Sequence, residues 1–148
     1  AQAVGAQMKI LLALIRRFEG CKLVAYLCPA GVWTLGWGAT GPSIAKGATW
    51  SQEQADARLE LDAHRFFLAA LKASPVLALY PDTHQAIADF CFNLGTTRYR
   101  SSTLKRRIDA EDWDGACDEI VRWVFGGGRK LPGLVLRRQA EAAIIEGQ

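Results

Sequence analysis

Residues 18–38, FEGCKLVAYLCPAGVWTLGWG, decide how this chain is read. An apolar, helix-like run ends here on a carboxylate, Glu19, and Gly20 stands where a helix is commonly closed. Lys22–Gly38 then reads as a β-hairpin with Pro29-Ala30-Gly31 in its turn. With a strand period of two, Trp33, Leu35 and Trp37 share one face and Thr34, Gly36 and Gly38 the other. The first is a core face. The second is bare except for one hydroxyl, and glycine inside a strand weakens it while giving nothing to pack. A stripped strand beside an acid suits an extended chain lying against it; a tight bend or close backbone packing would leave the same pattern.

Outward from this stretch the chain is helical. Upstream, Met8–Glu19 carries Ile10, Leu11, Leu14, Ile15 and Phe18 on one face. Downstream, a loop rich in Gly, Pro and Thr runs to Trp50. Ser51-Gln-Glu-Gln54 is a capping-box signature, opening a long helix through Leu59, Leu61, Phe66, Phe67 and Leu71 that stops before Pro75. Its widely spread polar residues suit a helix bridging two lobes. Asp82-Thr-His-Gln85 opens another helix, with Ile87, Phe90, Cys91 and Leu94 as its apolar stripe and Gly95 closing it. Ser101-Ser102 caps a short basic helix ending near Ile108. Glu111–Phe125 reads as a further helix, with Trp113, Cys117, Ile120, Val121 and Val124 inward, before the glycines 126–128 break it. Pro132 starts the last helix, through Leu134, Leu136, Ala140 and Ile144. The expectation is an α+β fold, mostly α. A small lobe with a β-hairpin, about 15–60, and a larger helical lobe, about 61–148, share a single domain. The long helix joins them, the first helix packs on the larger lobe, and a cleft lies between.

At 148 residues the chain is long enough to bury a real core. The longest purely apolar run, Ile10–Ile15, is far short of the roughly 18–20 residues that a membrane span needs. Arg16 and Arg17 follow that run instead of preceding it, unlike a signal peptide. The chain begins at Ala1, not Met, which leaves room for an upstream segment. A net charge of +3 does not argue for nucleic acid, although arginine and lysine cluster at 98–100, 105–107, 129–130 and 137–138. Such clusters suit solvated helix faces, or a positive face meeting an anionic envelope. Cys21, Cys28, Cys91 and Cys117 fit no zinc spacing, and His64 and His84 have no partner motif. Cys91 and Cys117 lie among apolar residues and read as buried thiols.

A carboxylate in the last turn of a helix meets the negative end of the macrodipole, at a cost of a few tenths to about 1 kcal/mol. Partial burial beside Phe18 adds to it. Both effects favour the protonated form, which is how a carboxylic acid is kept available as a proton donor. Arg16 and Arg17 would undo this if they folded back.

Glu19, eight residues, Cys28, five residues, Thr34 resembles the Glu-x8-Asp/Cys-x5-Thr triad of the phage-type lysozymes, the endolysins of glycoside hydrolase family 24. "WTLGWG" at 33–38, "FNLG" at 92–95, "RSSTL" at 100–104 and "LPGLVLRRQAE" at 131–141 are similar to further segments of the family, in the same order. The resemblance implies hydrolysis of the β-1,4 bond between N-acetylmuramic acid and N-acetylglucosamine in peptidoglycan, with no cofactor or metal. Glu19 would be the general acid and Thr34 would hold the attacking water, usually with inversion. Gly36, on the bare face, would lie under the glycan. Phe92, Asn93 and Thr103 would touch it, Arg137 would pair with Glu19, and Thr40, Glu119 and Arg129 are cleft candidates on alignment alone. The protein would be a monomer, made in the infected host's cytoplasm and acting on the wall in the periplasm.

Cys28 stands where many members carry Asp. A free thiol, with a pKa of about 8.5, is mostly neutral at pH 7, so a catalytic thiolate needs local stabilisation. Cys21 lies seven residues away, and the expectation is that the two can oxidise to an inactive disulfide released by reduction or exchange. Two free thiols are the alternative. A lytic transglycosylase, using one acid on the same bond, and a non-catalytic wall-binding module also remain open.

Overall fold

The hairpin and its preceding helix set the frame, and both lie where the sequence puts them. The computed structural model of the protein describes residues 2–148. Helix α1 (Gln2–Gln7), which the sequence reading missed, leads into α2 (Lys9–Glu19). The unpaired first-turn amides of α2, at Ile10 and Leu11, donate to Gln85 Oε1 at 2.8 and 3.0 Å. That bond docks α2 onto α4 (Pro81–Leu94) at one end and leaves Glu19 at the other.

Strand β1 (Lys22–Leu27) pairs antiparallel with β2 (Trp33–Gly36), Tyr26 opposite Thr34 and Leu27 opposite Trp33. The turn between them is closed by Cys28 N–H to Val32 O and Gly31 N–H to Cys28 O, at 3.0 and 2.8 Å. Leu35 is fully buried with Ala39 and Ile44 in a small apolar cluster, ringed by Trp33 and Trp50.

The bare-face reading is corrected here. Gly36 has φ +64°, and a Cβ on it would lie 2.9 Å from the Trp50 ring and 3.4 Å from the Ala55 Cβ. An indole from a neighbouring loop fills that face, so Gly36 serves close packing and is not open to a glycan. Gly38, at φ +90°, is different: its missing Cβ would stand 3.8 Å from Glu19 Oε1. The positive φ values also end the strand alternation, so Trp37 leaves the Leu35 face. It packs instead on the larger cluster, its Nε1–H donating to Asp56 Oδ1 at 2.8 Å.

Helix α3 (Gln52–Ala73) opens with the expected reciprocal box between Ser51 and Gln54 and spans both clusters. Ala55 meets the hairpin side, while Leu59, Ala63 and Ala70 enter the larger core. That core is built around α4, where every residue from Thr83 to Cys91 is buried, and it takes in Leu11 and Ile15 of α2. Burial pushes the Cys91 thiol up to about 12. Cys117 is only half-buried, its thiol donating to Ala142 O at 3.4 Å.

After Gly95 come α5 (Thr96–Arg100), too short to show a period in the sequence, and α6 (Thr103–Asp109), capped by Ser102 Oγ. Helix α7 is Trp113–Ile120, shorter than the expected Glu111–Phe125. Asp112 caps its start by accepting from Gly115 N–H at 2.9 Å, and Val121 beyond its end is exposed, not inward. Phe125–Gly126 (β3) and Arg129–Lys130 (β4) form a second small hairpin over Gly127 and Gly128, where the sequence suggested only a break. Helix α8 (Pro132–Glu146) starts at the expected proline but turns a different face inward. Leu136 is exposed, whereas Arg137, Arg138, Glu141 and Ile145 are buried.

Candidate active site

Glu19 lies at the junction of two cavities. One, of about 400 Å³, is lined by Gly38, Thr40, Arg58, Asp62, Phe66 and Phe92. The other, of about 440 Å³, is lined by Phe18, Leu131, Pro132, Leu134 and Arg137. Glu19 and Asn93 belong to both. The groove therefore runs past the carboxylate on either side, from the hairpin and α3 to the start of α8.

The two oxygens of Glu19 are not equivalent. Oε2 accepts from Arg137 Nη1 at 2.9 Å. Oε1 lies under Gly38 and takes no hydrogen bond from the protein among the described residues. The helix end is thus not the only charge this carboxylate meets, and the cation comes from Arg137 rather than from Arg16 or Arg17. Arg137 also binds Asp89 of α4 through Nε and Nη2, at 2.9 and 2.7 Å. Burial alone would lower the Arg137 pKa, but Asp89 and then Glu19 raise it, so its charge is secure. This planar fork holds one carboxylate bidentately while its third nitrogen aims at Glu19, a geometry that lysine cannot reproduce.

Cys28 occupies the hairpin turn. Its pKa is lowered, mainly by the Val32 backbone N–H, against a smaller opposing effect of burial, with help from the Ala30 N–H, the Thr34 side chain and its own N–H. The backbone of the turn thus favours the thiolate, acting as the kind of cradle that an anionic sulfur needs. Thr34 is buried, and its Oγ1–H lies 2.9 Å from Val32 O. Tyr26, which the sequence reading missed, lies close enough to feel the charges of both Glu19 and Cys28. Its hydroxyl pKa is raised by burial first, then by the charges of Glu19 and Cys28.

Phe92 and Asn93 line the groove as expected, and so does Thr40, whose carbonyl accepts from Arg58 Nη2 at 2.8 Å. Phe92 meets Phe66 edge to face, with centroids 5.5 Å apart. Thr103 and Glu119 are elsewhere. Thr103 accepts from Arg106 at the start of α6, and Glu119 faces Arg122 on α7 at 3.4 Å. Arg129 is on β4, also outside the groove-lining set. Arg58, Asp62 and Arg65 of α3 are groove residues that sequence reasoning missed, because an i,i+4 charge pattern on a long helix reads as a solvated face.

Cys21 and Cys28 are both free thiols. Strand β1 separates them, and an extended strand of that length spans on the order of 20 Å, against the roughly 7 Å Cα separation that a disulfide tolerates. The expected pair is not formed, and the hairpin as folded keeps its members apart.

The Cys28 cradle has a measurable consequence. A lowered thiol pKa means a larger thiolate fraction at neutral pH, so alkylation of Cys28 should reach half its maximal rate below the pH of about 8.5 typical of a free cysteine. Peptide mass spectrometry after iodoacetamide treatment over a pH series measures this, with buried Cys91 as the unreactive internal control. A Cys28 midpoint at or above the ordinary value would remove the cradle argument.

An acid in an open groove, within a helix-dominated α+β fold, is an arrangement that suits a glycoside hydrolase. The family model described as phage lysozyme matches residues 16–141, and the chain belongs to that family. It is 40% identical over 139 residues to the endolysin of Acyrthosiphon pisum secondary endosymbiont phage 1, covering 91% of this chain and 94% of that protein. Over 141 residues it is 35% identical to the SAR-endolysin of Escherichia phage Mu, covering 95% and 81% of the two chains. Among solved structures, the endolysin from Escherichia coli O157:H7 phage FAHEc1 matches with a TM-score of 0.80 and 29% identity, over 93% of this chain and 90% of that one. The protein is accordingly a lytic, cell-wall-directed hydrolase with peptidoglycan as its substrate. No described helix is long and apolar enough to cross a membrane.

Proposed function

We infer that the protein hydrolyses the β-1,4 bond between N-acetylmuramic acid and N-acetylglucosamine, with Glu19 as the general acid. The observation that carries this is the place of Glu19 between two cavities that share it. A glycan running through the groove would have its scissile bond over the carboxyl, with sugars on both sides.

The roles follow from the atoms left free. With Oε2 held by Arg137, Oε1 is the oxygen that would carry the proton and deliver it to the glycosidic oxygen. Glu19 keeps 24% of its side chain exposed. A bound glycan would strip water from that edge, and desolvation favours the neutral acid that donation requires. As the carbon–oxygen bond breaks, positive charge grows on the sugar ring. Cys28, whose thiol pKa is lowered, would bear compensating negative charge near the hairpin, and Thr34 would hold the water that completes hydrolysis. Phe92 offers an apolar face to a sugar ring. Asn93 has its Oδ1 engaged by Arg138 at 2.8 Å, which leaves the amide N–H groups for the substrate.

The names endolysin and SAR-endolysin among the relatives support action on the host's wall from the periplasmic side during lysis. We take the active unit to be a monomer, since the residues that build the groove all come from one chain.

Analysis of fragments from purified peptidoglycan tests the reading. Reducing muramic ends are expected. Ends bearing a 1,6-anhydro ring would make the enzyme a lytic transglycosylase, and binding without any cleavage would leave a wall-binding module.

A further inference from the structure

Behind the groove lies a charged cluster that the catalytic scheme does not use. Glu141 and Asp89 are both fully buried, and they lie close enough for the charge of Asp89 to bear on Glu141. Arg138, also fully buried, donates from Nη2 to Glu141 Oε1 at 2.9 Å and to Asn93 Oδ1 at 2.8 Å. Asp89 in turn holds Arg137, and Arg137 holds Glu19. Two arms therefore leave Glu141. One runs through Asp89 and Arg137 to Glu19, the other through Arg138 to Asn93, and both end in the groove.

The chemistry of the contact dictates a proton. Two neighbouring carboxylates buried away from water are not both ionised, since neither has a hydrogen to offer the other. Both oxygens of Asp89 are already engaged by the Arg137 guanidinium. Glu141 Oε1 accepts from Arg138, but Oε2 is buried with no donor facing it, so a hydroxyl at that oxygen, donating to Asp89, satisfies both groups.

We propose that Glu141 is a positioning residue for the active site, a proton-bearing acid at the fork of two arms that orient Glu19 and Asn93. The proposal rests on the reading of Glu19 as the acid. Buried charges of this kind are generally no more stabilising than well-packed apolar side chains, so stability alone does not account for them.

The groups facing Glu141 are Asp89 of α4 and Arg137 and Arg138 of its own helix. Beyond these, Cys91 of α4 lies close enough for its thiol to feel Glu141, with Arg100 at the end of α5, and Cys117 on α7 is bonded to Ala142 one residue along. Burial, then the Asp89 charge, raises the Glu141 pKa well above the usual glutamate value, and the two arginines do not overcome this. A raised folded-state value gives stability that is complete below the unfolded pKa, about 4.3, and is lost as pH rises through the folded one.

Glu141→Gln and Glu141→Met test this. Methionine removes the donor to Asp89, and kcat on peptidoglycan should fall about tenfold or more with KM within about twofold. Glutamine offers an N–H in place of the O–H, and it should recover kcat to within about threefold of wild type while abolishing any alkaline limb due to Glu141. Full activity in Glu141→Met, failure of Glu141→Gln to recover it, or an unchanged alkaline limb would overturn the proposal. If Glu141→Met does not fold, the melting temperature of Glu141→Gln relative to wild type decides. That difference should grow by several degrees from pH 4 upward, since only wild type loses stability there, and a flat difference would overturn the shared proton. The melting series needs no catalysis, so an inactive wild type would count against the role of Glu19 and leave the proton test intact.

Discussion

Glu19→Gln is expected to leave the protein folded and to lower release of reducing ends from peptidoglycan by about 10²–10⁴-fold, the range that general acid catalysis contributes. The amide is nearly isosteric and its oxygen can still accept from Arg137 Nη1, the one hydrogen bond that Glu19 makes among the described residues. What is lost is a proton at the position of Oε1. Because the side chain is partly exposed and makes no apolar core contact, the melting temperature should move little, and circular dichroism will separate lost chemistry from lost structure. The loss should fall on kcat rather than KM, since the proton moves only as the bond breaks. Activity within about tenfold of wild type would place the acid elsewhere. Asp62 is the other carboxylate among the described residues lining this groove, but it is paired with Arg58 at 3.0 Å and Arg65 at 3.4 Å. Both of its oxygens are engaged, whereas Glu19 keeps Oε1 free, which is why Glu19 carries the prediction.

Much of the frame is legible in the sequence because its signals are local. Gly20 after Glu19, the Ser51–Gln54 box, Gly95, Ser102 and Pro132 each satisfy or end a helix terminus within a few residues, and all five stand at the expected boundaries. Short elements carry no period, and so α1, α5 and the β3–β4 hairpin went unseen. The glycine face failed for a different reason. Gly36 looks empty along its own strand, and the side chain that fills it, Trp50, comes from another part of the chain.

The polar core of the site was the least legible part. Hydrophobic periodicity assigns leucine inward and arginine outward, yet in α8 Leu136 is exposed while Arg138 is fully buried. A buried charge is tolerated when partners reach it. Here Asp89 reaches Arg137 from 48 residues away and Asn93 reaches Arg138 from 45, with Glu141 one turn further along the same helix. Asp89 attracts no notice in the sequence, as one acid within the apolar stretch Ala86–Phe92. Arg137 was reached through the family resemblance, and its hold on Glu19 follows from the fold.

That pairing makes Arg137 the position where one substitution should cost the most stability. Arg137→Met keeps the length and apolar bulk of the side chain but strands Asp89, fully buried, without its bidentate partner. Breaking a buried pair from one side typically costs about 3–5 kcal/mol, because the remaining charge has lost its compensation. Urea denaturation should show a loss of that size. Arg137→Lys should fall in between, since a single ammonium cannot fork onto Asp89 and reach Glu19 as well. The decisive variant is Arg137→Met combined with Asp89→Asn. If the loss comes from a stranded charge, neutralising Asp89 should restore a large part of it, giving a coupling energy of about 1–3 kcal/mol between the two sites. Stability restored in the double variant without activity would separate the two duties of Arg137. One is to compensate Asp89 inside the core, and the other is to hold Glu19 Oε2 so that Oε1 faces the groove. An Arg137→Met protein within about 1 kcal/mol of wild type would mean that Asp89 tolerates burial without the arginine, and the ionic frame behind Glu19 would then have no energetic basis.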